Sequence, residues 1–260
     1  MKELLAHWQI DGTATTLLLL ITGFMFFTKG FSKKTVAFAT LLLVALCFFS
    51  PLAVLSSHYL FSAHMIVHVL LLLAAGPLLV LCLPPDGKRF GTFFLFLKQH
   101  PLAGWLTGIG TMWFWHVPVL FNSAMALSHH NGLGIVHITE AVSLIAAGIL
   151  FSAPVIHPNK NYRLDALSGV VYLFTACVGC SLLGLLITFA PPGMYRHFLS
   201  MHDNLGLNKI ILQSGITQAT DQQAAGLIMW VPCCLIYVSG AMVLLMQWFK
   251  QKEEAITYAE

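Results

Sequence analysis

Tyr59-Leu60-Phe61-Ser62-Ala63-His64-Met65-Ile66-Val67-His68-Val69-Leu70-Leu71-Leu72-Leu73-Ala74-Ala75-Gly76-Pro77-Leu78-Leu79-Val80-Leu81-Cys82-Leu83 is the stretch that decides the fold. As an α-helix it covers about 37 Å at 1.5 Å per residue, more than the roughly 30 Å of hydrocarbon in a bilayer. The rest of the chain agrees. Of 260 residues, 58% are hydrophobic and 9% charged, and the mean hydropathy is +0.81. A soluble domain carries about 25% charged residues, so this chain lacks the charge to cover a water-facing surface. The net charge of +3 is small, and no basic stripe interleaved with aromatics points to nucleic acid.

Working outward, the pattern predicts an all-α, polytopic membrane protein, a seven-transmembrane helix bundle forming one integral membrane domain. The segments are Thr13–Phe27, Thr35–Leu55, Tyr59–Leu83, Pro101–Phe121, Gly132–Ala153, Ala166–Ala190 and Ala224–Phe249. The first is the shortest. It lacks a small-x-small cleavage site and is followed by Lys29, Lys33 and Lys34, so it reads as a span rather than a signal peptide. Seven spans divide the loop cations 10 against 3, with Lys2, Arg196 and Lys209 on the poorer side. The positive-inside rule then puts the N-terminus outside and the C-terminus in the cytoplasm.

Two loops are long. The 84–100 loop carries the turn signal Pro84-Pro85-Asp86-Gly87 and is expected in the cytoplasm. The 191–223 loop is expected outside, with Met194–Leu212 suited to one or two helices in the interface. The six cysteines, Cys47, Cys82, Cys177, Cys180, Cys233 and Cys234, all fall within or at the ends of spans, so no disulfide framework is expected. Cys177 and Cys180 share a helix face, but a thiol in hydrocarbon reads first as a small packing residue.

Twelve histidines are many for so few charges, and ten of them fall on the outer side. Only His100 and His157 are expected at the cytoplasmic face. Counted inward from the outer ends of their segments, His64, His116, His137 and Met229 each lie about 7–8 Å deep, with His68, Met112 and Glu140 near 12–14 Å. His64 and His68 are spaced i, i+4, as are Met112 and His116; His137 and Glu140 are i, i+3. Each pair therefore shares a helix face. Imidazole suits copper, zinc, iron and nickel, and thioether selects Cu(I), so the set points first to copper, of either oxidation state. Glu140 is an intramembrane carboxylate, read as functional by default. It suits a hydrogen bond to a ligand imidazole or proton carriage. A single intramembrane histidine often only bonds a neighbouring helix, and Met112 and Met229 also suit core packing. Convergence from three helices is what favours a metal site. Histidine is costly in lipid and alanine is not, so histidine-to-alanine changes are expected to affect folding little.

His64-Met65-Ile66-Val67-His68, continued by Gly76-Pro77-Leu78-Leu79, resembles the seven-span CtaG family, the Bacillus-type cytochrome c oxidase assembly factors. Trp113-Phe114-Trp115-His116-Val117-Pro118 is similar to that family's tryptophan–histidine–proline element. Asp221-Gln222-Gln223 with Gly226-Leu227-Ile228-Met229-Trp230-Val231-Pro232 looks like its most specific signature. The resemblance runs from about Trp8 to Phe249. It implies a bacterial cytoplasmic-membrane protein, not an enzyme, that supports copper delivery to a haem-copper oxidase. The implied partners are an oxidase subunit or a periplasmic copper donor. Position by position it points to His64, His68, His116, His130, His137 and Asp221. The 197–203 region and the cysteine pairs have no counterpart in that pattern. Two other readings of the residues stay open. One is a membrane zinc hydrolase using His64, His68, His137 and Glu140. The other is a b-haem protein with His68 and His116 as axial ligands. Asp221, at the outer start of the last segment, is expected either to cap its own helix or to orient a ligand imidazole.

Overall fold

A backbone N–H or C=O in hydrocarbon finds no water, so a long apolar run satisfies its polar groups internally, as a helix. The computed structural model describes residues 12–28, 33–85, 90–130, 134–195, 198, 203 and 206–257, apart from the side chains of 13, 128–130 and 255–257. Among these residues the chain is all-α: α1 Gly12–Phe27, α2 Lys34–Phe49, α3 Pro51–Val54, α4 Phe61–Cys82, α5 Gly91–Gln99, α6 Pro101–His116, α7 Pro118–His130, α8 Ile135–Ile156, α9 Ala166–Phe189, α10 Leu207–Gln213 and α11 Gln218–Thr257. Wide turns extend α3 through Leu55–Tyr59 and interrupt α4 at Leu71–Ala75.

The protein is a membrane protein. α4, α8, α9 and α11 are long and apolar enough to cross a bilayer, and α2 with α3, bent by 49°, makes a fifth candidate. The break at Ser50 has a local cause: Pro51 opens α3, and the Ser50 hydroxyl accepts from Leu52 N–H at 3.2 Å. α1 and α6 have 16 residues each. That is about 24 Å of helix, short of the hydrocarbon thickness. The predicted fourth span, Pro101–Phe121, is divided: α6 ends at His116, Val117 is extended and Pro118 opens α7. Proline disfavours helix at the residue before it, which explains the break. α5 lies in a segment read from sequence as loop, and α11 begins at Gln218, six residues ahead of its predicted start.

Helices α4 and α8 run parallel and touch at two glycines. A Cβ built on Gly76 would stand 2.6 Å from the Gly148 carbonyl carbon. In membranes small residues allow such close approach, and packing there replaces the hydrophobic effect between helices. His68 on α4 and Glu140 on α8 both lie eight residues before this contact. The glycine crossing thus sets the register in which they meet, about 12 Å away. α6 runs against α8 with Trp115 Nε1 donating to Ser143 Oγ at 2.8 Å. α9 and α11 pair antiparallel along their length, with Cys177 Sγ 3.0 Å from Cys234 Sγ. All six cysteines are free.

Basic residues gather at one end of the bundle. Lys33 Nζ donates to Leu81 O at 2.8 Å, Lys98 Nζ to Asn161 O at 2.9 Å and Arg163 Nε to His157 O at 2.5 Å. His157 packs between Phe94 and Tyr162, and burial pushes its imidazole down to about 4. It caps the opposite end of the helix that carries Glu140.

The glycine crossing is open to test. Gly76→Ala should lose about 1–3 kcal/mol, the usual cost of overpacking, read as thermal unfolding of the detergent-solubilised protein. Gly110→Ala, where a Cβ meets nothing within 4 Å, should be tolerated.

Candidate metal centre

The centre begins where the chain turns into α4. Leu60 is extended (φ −128°, ψ 124°) and cannot cap, so the first N–H groups of α4 need another acceptor. Asp221 supplies it from α11. Its carboxylate accepts from Phe61 N at 2.7 Å, Ser62 N at 3.1 Å and Ser62 Oγ at 2.5 Å. Asp221 therefore caps a helix 160 residues away in sequence, where the sequence pattern predicted a cap on its own helix. It sits at the positive ends of both, which favours its charge. The same break exposes a carbonyl. In a helix continuing with the pitch of the Leu55–Tyr59 turn, Phe61 N–H would return to Ser56 O. Here Ser56 O instead receives His64 Nδ1, at 3.2 Å.

With its proton on Nδ1, His64 keeps a lone pair on Nε2, and that atom lies 3.5 Å from Glu140 Oε1. His68 Nε2 lies 3.1 Å from the same oxygen. Both contacts are close, yet neither is aligned as a hydrogen bond, and His64 Nε2, both nitrogens of His68 and Glu140 Oε1 are buried without hydrogen-bond partners. His64 Nε2 and Glu140 Oε1 are thus acceptors facing each other in a dry interior, which calls for a positive species between them, a proton or a metal ion. Ligand atoms of His64, His68 and Glu140 all lie within 4.8 Å of one another. Two imidazoles and a carboxylate form a donor set that metals such as copper and zinc accept, so these residues fit an ion. His137 approaches the other carboxylate oxygen, Oε2, at 3.7 Å and is partly exposed.

His116 stands next to His68, rings perpendicular and 5.1 Å apart. Its Nδ1 meets Met112 O at 2.6 Å and its Nε2 meets Met65 Sδ at 3.1 Å. An aromatic group covers His64: Phe61, Phe121, Tyr195 and Phe198 stack or meet edge-on at 4.6–6.0 Å. Phe121 and Phe198 each lie 5.7 Å from the His64 ring. Tyr195 donates to His116 O at 2.9 Å, which ties this cover to the end of α6.

A sequence profile of the cytochrome c oxidase caa3 assembly factors (Caa3_CtaG) matches residues 29–251. The chain belongs to this family. Among curated proteins and among solved structures, none matches.

In this family member the sequence-derived residues meet different fates. His64, His68 and Glu140 come together, and Glu140 stands at the centre of the group, a place the sequence left to the histidines. His137 joins at the rim. His116 lies on the far side of His68, at the last turn of its helix rather than five residues inside it. Met112 contributes its carbonyl to His116, while its side chain and that of Met229 are buried in the apolar core. Met229 is eleven residues into α11, because the helix begins six residues before Ala224. The side chain of His130 lies outside the described residues, as do His7, His197, Met201 and His202. Met65 and Ser62 were missed. Met65 is three residues before His68, the helical spacing that would have placed it on that face.

The cap gives a prediction. Asp221→Ala should destabilise by about 0.5–2 kcal/mol, the usual worth of an N-cap. Asp221→Asn should recover part of this, because it keeps an acceptor. Thermal unfolding of the two variants beside wild type measures the difference.

Proposed function

We propose that this assembly-factor family member binds copper at His64, His68 and Glu140 and passes it to a haem-copper oxidase subunit. The carrying observation is that His64 Nε2, His68 Nε2 and Glu140 Oε1 are buried without hydrogen-bond partners, with ligand atoms of the three residues within 4.8 Å of one another. Copper is cargo here. His64 and His68 would hold it through Nε2 and Glu140 through its carboxylate, with His137 at the rim. Transfer is ligand exchange, in which an incoming donor from the oxidase replaces one imidazole at a time. The protein supplies a dry site, a fixed tautomer at His64 and a counter-charge.

The His–His–Glu set is also one that zinc hydrolases use. However, Glu140 is taken up in the donor set, aromatic rings cover His64, and the carboxylate of Asp221 is taken up in capping α4, which leaves neither acid free to activate water. Haem between His68 and His116 finds no slot, since the rings are 5.1 Å apart and His116 Nε2 abuts Met65 Sδ. Zinc with a water ligand in the isolated protein would favour the hydrolase.

The test is metal analysis of purified protein against a His64→Ala/His68→Ala/Glu140→Gln variant. The third change matters. Removing the histidines alone would strand a buried carboxylate at about 3–5 kcal/mol, a loss that Glu140→Gln avoids. Wild type should take up copper and the triple variant should not, with oxidase activity in cells falling accordingly. Wild type that binds no copper would refute the proposal.

Delivery also needs an orientation. The proposed arrangement is seven spans in a bacterial cytoplasmic membrane, with the histidine end outside and the basic end in the cytoplasm. A reporter after Glu260 should be active in the cytoplasm, and one inserted at residues 131–133 should be active outside. The reverse pattern would overturn it.

A further inference from the structure

We infer that Met65 Sδ and His116 Nε2 form a soft subsite beside the carboxylate, and that the copper handled here is Cu(I). The inference rests on the copper-binding reading above and deepens it. A neutral imidazole carries one N–H. At His116 the 2.6 Å contact with the Met112 carbonyl takes it, because a lone pair there would face an acceptor. His116 Nε2 then presents its lone pair to the thioether sulfur of Met65, 3.1 Å away. Both residues are closed off from solvent, at 0% and 2% exposure. Two electron-pair donors therefore face each other in an apolar interior. An imidazole nitrogen with a thioether is a pair that favours Cu(I) over Zn(II) or Cu(II).

Charge points the same way. Glu140 is the acid of the group, and the imidazoles and the thioether are neutral. Cu(I) on this set sums to zero, while a divalent ion leaves an uncompensated positive charge in a buried site, which is costly. His68 stands between the two positions, with Nε2 toward Glu140 and its ring against His116. The ion thus has a path from the carboxylate to the thioether along one imidazole.

The experiment uses the full chain in detergent, loaded without oxygen with Cu(I) or, separately, with Cu(II) or with Zn(II). X-ray absorption fine structure at the copper edge should contain a sulfur neighbour together with nitrogen. Met65→Leu, a volume-conserving change, should abolish the sulfur contribution, whereas Met229→Leu should keep it. Cu(I) affinity in Met65→Leu should fall by at least the roughly tenfold that even an outer-sphere partner is worth, and Zn(II) affinity should stay unchanged. Bound Cu(I) with only nitrogen and oxygen neighbours, or sulfur persisting in Met65→Leu, would overturn the soft subsite and leave the copper site standing. Wild type that takes up neither oxidation state of copper would remove both.

Discussion

Moving a carboxylate from water into an apolar interior costs several kcal/mol even after relaxation. Glu140 is 4% exposed, on a helix whose neighbours are hydrocarbon-like. That cost explains much of what surrounds it. Three histidines from two helices turn toward its two oxygens. In the proposed copper site each imidazole would be a neutral donor and the cation would neutralise the acid, so charge compensation and metal affinity would be the same interaction at this residue.

Holding that interaction requires a frame that does not give way. Without water to drive helices together, the frame comes from close backbone approach and from hydrogen bonds that hydrocarbon cannot replace. The Gly76–Gly148 contact supplies the first, and the Asp221 cap on α4 the second. The cap ties the last helix to the first turn of the histidine helix. It lies one turn from His64, so it fixes the start of the helix that presents both histidines.

Much of this was legible in the sequence, and the reasons differ by residue. Hydropathy and charge shortage revealed the helical membrane class, because a bilayer permits little else. The i, i+4 spacing of His64 and His68 revealed a shared face. Equal depth with His68 revealed that Glu140 could meet that face; that its carboxylate would stand at the centre was not legible, since the register between α4 and α8 depends on a glycine contact between distant segments. The helix ends used for depth counting at His116 and Met229 were misplaced because they rested on hydropathy. Pro118 ends one helix early, and Gln218 begins another beyond the apolar run. Asp221 was read either as a cap on its own helix or as orienting a ligand imidazole; it caps α4 instead, which local sequence alone does not reveal. Met65 was hidden by its own chemistry: methionine in an apolar run reads as packing until its sulfur is seen against an imidazole.

The aromatic cover over His64 bears on time rather than affinity. Phe61 is at once a ring in that cover and the first residue of α4, its N–H held by Asp221. Tyr195, stacked on Phe61, is anchored to the last turn of α6. An ion held at the proposed site beneath these rings would leave only when several bonded parts shift together. Its residence would then be governed by that concerted movement, and small chelators in the surroundings would compete poorly for it. A docking partner that pries the rings apart would set the moment of release.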